Sequence, residues 1–222
     1  MATFAGMTAR VQEIVNDDTQ VVLDNAGSYV NRAIRKIQKR NNYRVMRATV
    51  TVVTTLATRN LTTISASFPD IKEFRDRPYI LHGDGTTEQI EMFHVLDNVI
   101  DRFSWSDSDE VGSPEVLYWD SDDSIKVFPY PDGNSLDGDG EYRVAIPYWK
   151  YLPDLTGVET NWFSLNMPEA VEYHAAAMAF YDNFDEGHGD RMTARFEAEL
   201  AEARKLEKRS QFSETFNLSF GV

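Results

Sequence analysis

The 222-residue chain contains no cysteine. A disulfide framework, a thiolate metal site and a thiol nucleophile are thereby excluded. No stretch approaches the roughly 20 apolar residues of a membrane-spanning helix, so no membrane partner is expected. The opening residues, Met-Ala-Thr-Phe-Ala-Gly-Met-Thr-Ala-Arg, lack a basic leader and a long apolar core, and no signal peptide is expected. Positive charge is scarce: 22 Lys and Arg stand against 36 Asp and Glu, a formal net charge of −14. Phosphate contacts need Lys and Arg, so sequence-specific nucleic-acid binding is not expected. His82, His94, His174 and His188 show no metal-ligand spacing. His174, near Val171 and Met178 in an Ala-rich helical pattern, reads as a packed or capped structural residue. No phosphate-binding glycine loop, dinucleotide fingerprint or nucleophile elbow occurs. No cofactor, no metal and no catalytic residue are expected.

The charge that is present is segregated. Between Asn25 and Pro69 there is no acidic residue, while Arg32, Arg35, Lys36, Lys39 and Arg40 crowd a short span. Between Asp97 and Glu141 carboxylates dominate, opposed by Arg102 and Lys126 alone. A chain with one basic patch and one acidic lobe suits docking to copies of itself or to an oppositely charged partner. Two solvated faces would read the same way.

Residues Thr8 to Asn16 read as a short helix, with Thr8 as cap and Val11, Ile14 and Val15 on one face. From Gln20 to Arg40, Val22, Ala26, Tyr29, Val30, Ala33, Ile34 and Ile37 recur at helical spacing, and the basic residues form a separate stripe. The texture then turns to Thr, Val and Ile. Val45–Leu56, Asn60–Ser67, Glu73–His82, Thr86–Leu96, Val99–Trp105, Glu115–Trp119, Ile125–Phe128 and Glu141–Trp149 are strand candidates. Helix returns at Pro168, through Ala-rich Glu169–Phe184, and again from Asp190 to about Arg209. The expected fold is α+β. Residues 1–42 and 163–210 form a helical bundle, and 43–162 an inserted antiparallel β-sandwich or barrel-like domain. Residues 211–222 read as an extended C-terminal arm, with Phe212, Phe216, Leu218 and Phe220 on one side. Such an arm folds back on its own β region or adds to another subunit.

Two chemistries compete for the polar and aromatic residues. Asp132, Asn134, Asp137, Asp139 and Glu141 offer oxygens to a hard cation, but EF-hand spacing fails because Tyr142 stands where glycine is required. A polar hairpin loop is the expectation there. Trp105, Trp119, Trp149 and Trp162 could serve as sugar platforms, although a strand Trp more often packs in a core or interface.

An ordered set of motifs in the chain resembles that of a known protein family. Tyr29-Val-Asn-Arg-Ala-Ile-Arg-Lys-Ile-Gln-Lys-Arg-Asn-Asn-Tyr-Arg44 is similar to the family's first long helix and its entry into the β domain. Phe68-Pro-Asp70, Gly112-Ser-Pro114, Ile125 to Gly133, Tyr142-Arg-Val-Ala-Ile-Pro147 and Thr160-Asn-Trp162 follow in order. A Pro-led helix and a second helix with Asp190, Arg195 and Phe196 complete the set, which resembles the head-to-tail connector adaptors of tailed bacteriophages. The chain departs from the pattern in its acidic loop at Asp132 to Glu141. The resemblance implies a virion neck protein, assembled in the host bacterial cytoplasm, with no enzymatic activity. It implies a ring of about twelve copies, closed by head-to-tail contacts. That ring docks on the portal protein, extends the DNA channel without sequence-specific binding, and offers a platform to a downstream tail or nozzle protein. On that basis Phe212, Phe216, Leu218 and Phe220 are candidate portal contacts. Arg32, Arg35, Lys36, Lys39 and Arg40 are candidates for the contact with a neighbouring copy or partner. The competing expectation is a β-sandwich binding module of a phage tail or carbohydrate-recognising protein.

Overall fold

The computed structural model describes residues 2–16, 20–56, 58, 60–94, 110–119, 123–134 and 141–217; for 20–23, 93, 94 and 206–217 it describes the backbone alone. Six helices and eleven strands lie among these residues, which makes the chain α+β. It divides into two compact units, Met1–Val45 with Leu152–Val222, and Met46–Tyr151.

The first unit is helical. Helix α1 (Phe4–Val15) begins four residues before the expected Thr8, because Thr3 is its cap and accepts from the Gly6 amide at 3.1 Å. Thr8 lies inside the helix, its hydroxyl donating to the Phe4 carbonyl. Helix α2 (Gln20–Arg40) buries Ala26, Tyr29, Val30, Ala33, Ile34 and Ile37, as its periodicity requires. Gly27 has a packing reason: a Cβ there would meet the Phe4 ring at 2.9 Å.

The segment after Tyr151 was expected in the β domain, but residues 152–162 pack within the helical unit. Side chains of α2 hold its backbone. Asn31 donates to the Leu155 carbonyl and accepts from the Leu155 amide, at 3.0 and 2.9 Å. Gln38 accepts from the Leu152 amide at 2.6 Å. Asn161 and Ser164 then form a reciprocal capping box for the short helix α4 (Trp162–Asn166). Helix α5 (Pro168–Asp182) is buried on nearly every side, through Ala170, Val171, Ala175, Ala176, Ala177, Ala179 and Phe180. Alanine lets α1, α2 and α6 approach it closely.

Helix α6 runs from Glu186 to Asn217, longer at both ends than expected. The Gly187-His188-Gly189 stretch lies in its first turn, because Asp185 accepts from the His188 amide at 3.1 Å and binds the His188 ring at 2.8 Å. The extended arm is corrected for residues 211–217, whose backbone is helical. No proline or glycine interrupts Asp190 to Leu218, and Phe212 and Phe216 suit a helix at i and i+4 as well as a strand. Leu218 and Phe220 lie outside the described residues.

The second unit carries three sheets. In the largest, β11 (Arg143–Lys150) pairs with β1 (Arg47–Val53) along β1's whole length. Its other edge pairs first with β4 (Tyr79–Leu81), which continues to β5 (Thr87–Gln89), and then with β3 (Ile71–Phe74). Strand β11 reads Arg-Val-Ala-Ile-Pro-Tyr-Trp-Lys and is buried on both faces from Val144 to Tyr148. Pro147 falls between the β4 and β3 stretches, and its carbonyl accepts from the Arg75 amide at 3.0 Å. A missing amide donor costs least at that gap. The β4–β5 turn is His82-Gly-Asp-Gly85, with Gly85 at φ 84°.

The second sheet runs β2 (Asn60–Thr63), β9 (Ser124–Phe128), β8 (Val116–Trp119), β6 (Glu91–His94), and the third pairs β10 (Tyr130–Pro131) with β7 (Val111–Gly112). The expectation of antiparallel pairing alone is corrected, since β6–β8 and β7–β10 are parallel. Strand β2 also stops at Thr63, and Ile64–Ser67 forms the one-turn helix α3. The candidate strand Val99–Trp105 lies outside the described residues. One core joins residues of the two larger sheets: Leu61, Leu117, Ile125 and Val127 with Ile80, Val144, Ile146 and Tyr148.

Candidate functional site: the cationic face of the second helix

Helix α2 sorts its residues by spacing. Ala26, Tyr29, Val30, Ala33, Ile34 and Ile37 are buried in the helical unit, whereas the side chains of Arg32, Arg35, Lys36, Lys39 and Arg40 reach solvent. Like charges three and four residues apart disfavour a helix by about 0.2–0.5 kcal/mol per pair. Lys39 and Arg40 in the last turn recover part of this from the helix dipole. The remainder of the stripe opposes helix stability, so its basis lies outside the helix.

Carboxylates from other elements answer three of the five cations. Arg35 grips Asp154 through two hydrogen bonds of 2.9 and 3.1 Å, which raises its already high pKa. Arg40 pairs with Glu197 of α6 and lies over the Phe196 ring at 5.2 Å. Arg32 stands 4.0 Å from Asp182 at the end of α5. Asp182 also accepts from the Tyr29 hydroxyl at 2.7 Å; burial, then that bond, push the Tyr29 pKa up to about 12. Lys36 and Lys39 have no ion-pair partner among the described residues.

The stripe borders a groove of about 400 Å³ lined by Arg32, Arg35, Lys36, Lys39, His174 and Met178. His174 is packed, as expected, its ring stacked on Phe196 with centroids 4.4 Å apart, but Nδ1 has no hydrogen-bond partner. Burial lowers its pKa to about 4, and the positive charges of Arg40, Lys36 and Arg32 add to the effect. His174 is therefore neutral at pH 7, and the groove's charge comes from the arginines and lysines. The positive charges of Lys36 and Lys39 at its edge favour carboxylates or other anions. Its alkyl stems and Met178 supply an apolar surface beneath the charges.

The candidate portal contacts are not brought to this face by any described contact. Phe212 and Phe216 lie on the helical backbone of α6, and Leu218 and Phe220 fall outside the described residues. In the acidic loop, Asp132 accepts from the Asn134 amide at 2.9 Å and the Tyr142 hydroxyl at 2.7 Å, which hold its pKa below the usual carboxylate range. Asp137 and Asp139 lie outside the described residues, among which no cluster suits a metal ion. Trp119 packs on Phe74, Trp149 lies under Arg47 and Arg75, and Trp162 packs on Tyr43 and Phe163. None of these three presents an open platform; Trp105 lies outside the described residues.

One exposed feature had no sequence signal. Phe184, in the turn from α5 to α6, is 94% exposed and holds φ at 62°. Its neighbours fix it there: the Asp185 amide donates to the Phe180 carbonyl, and His188 stacks on Phe180.

No helix among the described residues is long and apolar enough to cross a membrane. No curated protein matches the chain. The family described as SU10 adaptor protein matches residues 2–218.

Proposed function

The chain belongs to the SU10 adaptor protein family, structural adaptors of the bacteriophage virion, and from this premise we propose that it is the ring subunit joining portal to tail. In this reading the protein assembles in the host bacterial cytoplasm, docks as a closed ring on the portal, extends the DNA channel and presents a platform to a downstream tail protein. The family match over nearly the whole chain carries the reading. The exposed cationic face of α2 supports it, because a ring subunit needs two different complementary surfaces. So does the net charge of −14, since a channel wall that repels phosphate does not hold passing DNA.

We place the portal contact at the end of α6. A helix of 32 residues is about 48 Å long, and Phe212 and Phe216 belong to its last two turns. The chain mixed with portal rings should co-purify with them. Deleting 211–222 should abolish this without changing the melting temperature. An intact chain that never binds portal rings would overturn the adaptor reading, and a truncated chain that still binds would move the contact elsewhere.

A further inference from the structure

The helical unit carries a second concavity whose chemistry is opposite to the first. It encloses about 440 Å³ and is lined by Asn166, Met167, Pro168, Glu169, Ala170, Glu199, Glu202 and Ala203. Its floor is apolar, with Met167 and Ala170 buried, and three glutamates stand around it. None of the three has an ion-pair partner among the described residues. Glu169 gains from the α5 N-terminus. Glu199 and Glu202 have no such compensation; they sit three apart on α6, where like charges disfavour the helix.

The two concavities share no residue. Helix α5 lends His174 and Met178 to the cationic groove and Pro168, Glu169 and Ala170 to the acidic hollow. One copy thus presents, on two surfaces held in fixed relation by α2, α5 and α6, lysines and glutamates that no described residue answers.

We propose that these surfaces meet between copies: Lys36 and Lys39 of one chain enter the Glu169–Glu199–Glu202 hollow of the next. Lysine suits the hollow better than a shorter cation would. Its methylenes cover Met167, Pro168 and Ala203, and its ammonium reaches the carboxylates at the rim. The occupant is a second copy because the chain itself supplies both complementary faces. The contact is heterologous, so it repeats from copy to copy and closes into a ring when the rotation allows. This deepens the proposed ring and rests on that reading for closure, but the contact is testable on its own.

The absence of cysteine makes the test direct. Two single-cysteine chains, K39C and E202C, are mixed in equal amounts and oxidised, both alone and on portal rings. Heterodimers should dominate both homodimers in at least one condition. A second arm uses charge reversal, read by sedimentation at low salt and by ring formation on the portal. K36E/K39E and E199K/E202K should each weaken assembly at least tenfold, and the four changes combined in one chain should restore it. Absence of heterodimer in both conditions overturns the contact, as does a combined variant no better than either pair. If portal docking survives while the cross-link fails, only this inference falls. If the cross-link forms but portal docking fails, the adaptor reading falls instead.

Discussion

Phe184 occupies a left-handed conformation that glycine accepts freely and other residues adopt at a cost of about 1–2 kcal/mol. Its side chain is almost wholly exposed. Phe184→Gly should therefore keep or raise the melting temperature, which differential scanning calorimetry would show; a marked fall would mean that the ring has an intramolecular partner. Five residues on, Gly189 has the opposite constraint. A Cβ there would stand 2.6 Å from the Tyr181 ring. Gly189→Ala should destabilise by roughly 1–3 kcal/mol, read by urea denaturation, because the ring is tied to Asp190 and Thr193. His174 makes stability depend on pH. Its native pKa of about 4 lies below the 6.5 of an unfolded histidine, so between these values the unfolded chain binds the extra proton. Stability should fall as pH drops from 6.5 towards 4, by roughly 1–2 kcal/mol after allowance for solvent screening. His174→Gln should flatten that part of the melting-temperature profile; an unchanged slope would exonerate the ring.

At the scale of elements, α2 both packs the bundle and clamps the returning chain. Asn31 satisfies the amide and carbonyl of Leu155 together. Asn31→Ala should cost about 1–3 kcal/mol in chemical denaturation, because both backbone groups lose their partner; a loss below about 0.5 kcal/mol would show that water replaces it. Helix α2 was legible because hydrophobic and basic residues separate at a 3.6-residue period over 21 positions. The cationic stripe was legible for the same reason. Its carboxylate partners were not: Arg35 meets Asp154, and Arg40 meets Glu197, across more than a hundred residues of sequence. Parallel pairing of β6 with β8 was hidden similarly, since strand partners are tertiary facts. The end of α6 was misread because residues four apart fit both helix and strand patterns, and Phe212 and Phe216 alone do not decide between them. The α3 turn escaped because Ile64 is β-branched and the segment spans only four residues.

For the whole molecule, charge is the organising quantity. A net charge of −14 opposes crowding of identical copies, so any ring needs local attraction that outweighs global repulsion. Attraction between exposed lysines and glutamates is screened as the Debye length falls from about 10 Å at 0.1 M salt to about 3 Å at 1 M. Global repulsion is screened too, but it acts over longer distances and is lost first. In the proposed role the chain serves by position, as an adaptor between the genome-filled head and the tail. A density map of the virion neck tests it most directly. A ring of this chain is expected between portal and tail, with the end of α6 against the portal. A neck built without this chain, in a virion that is tailed and infectious, would contradict it.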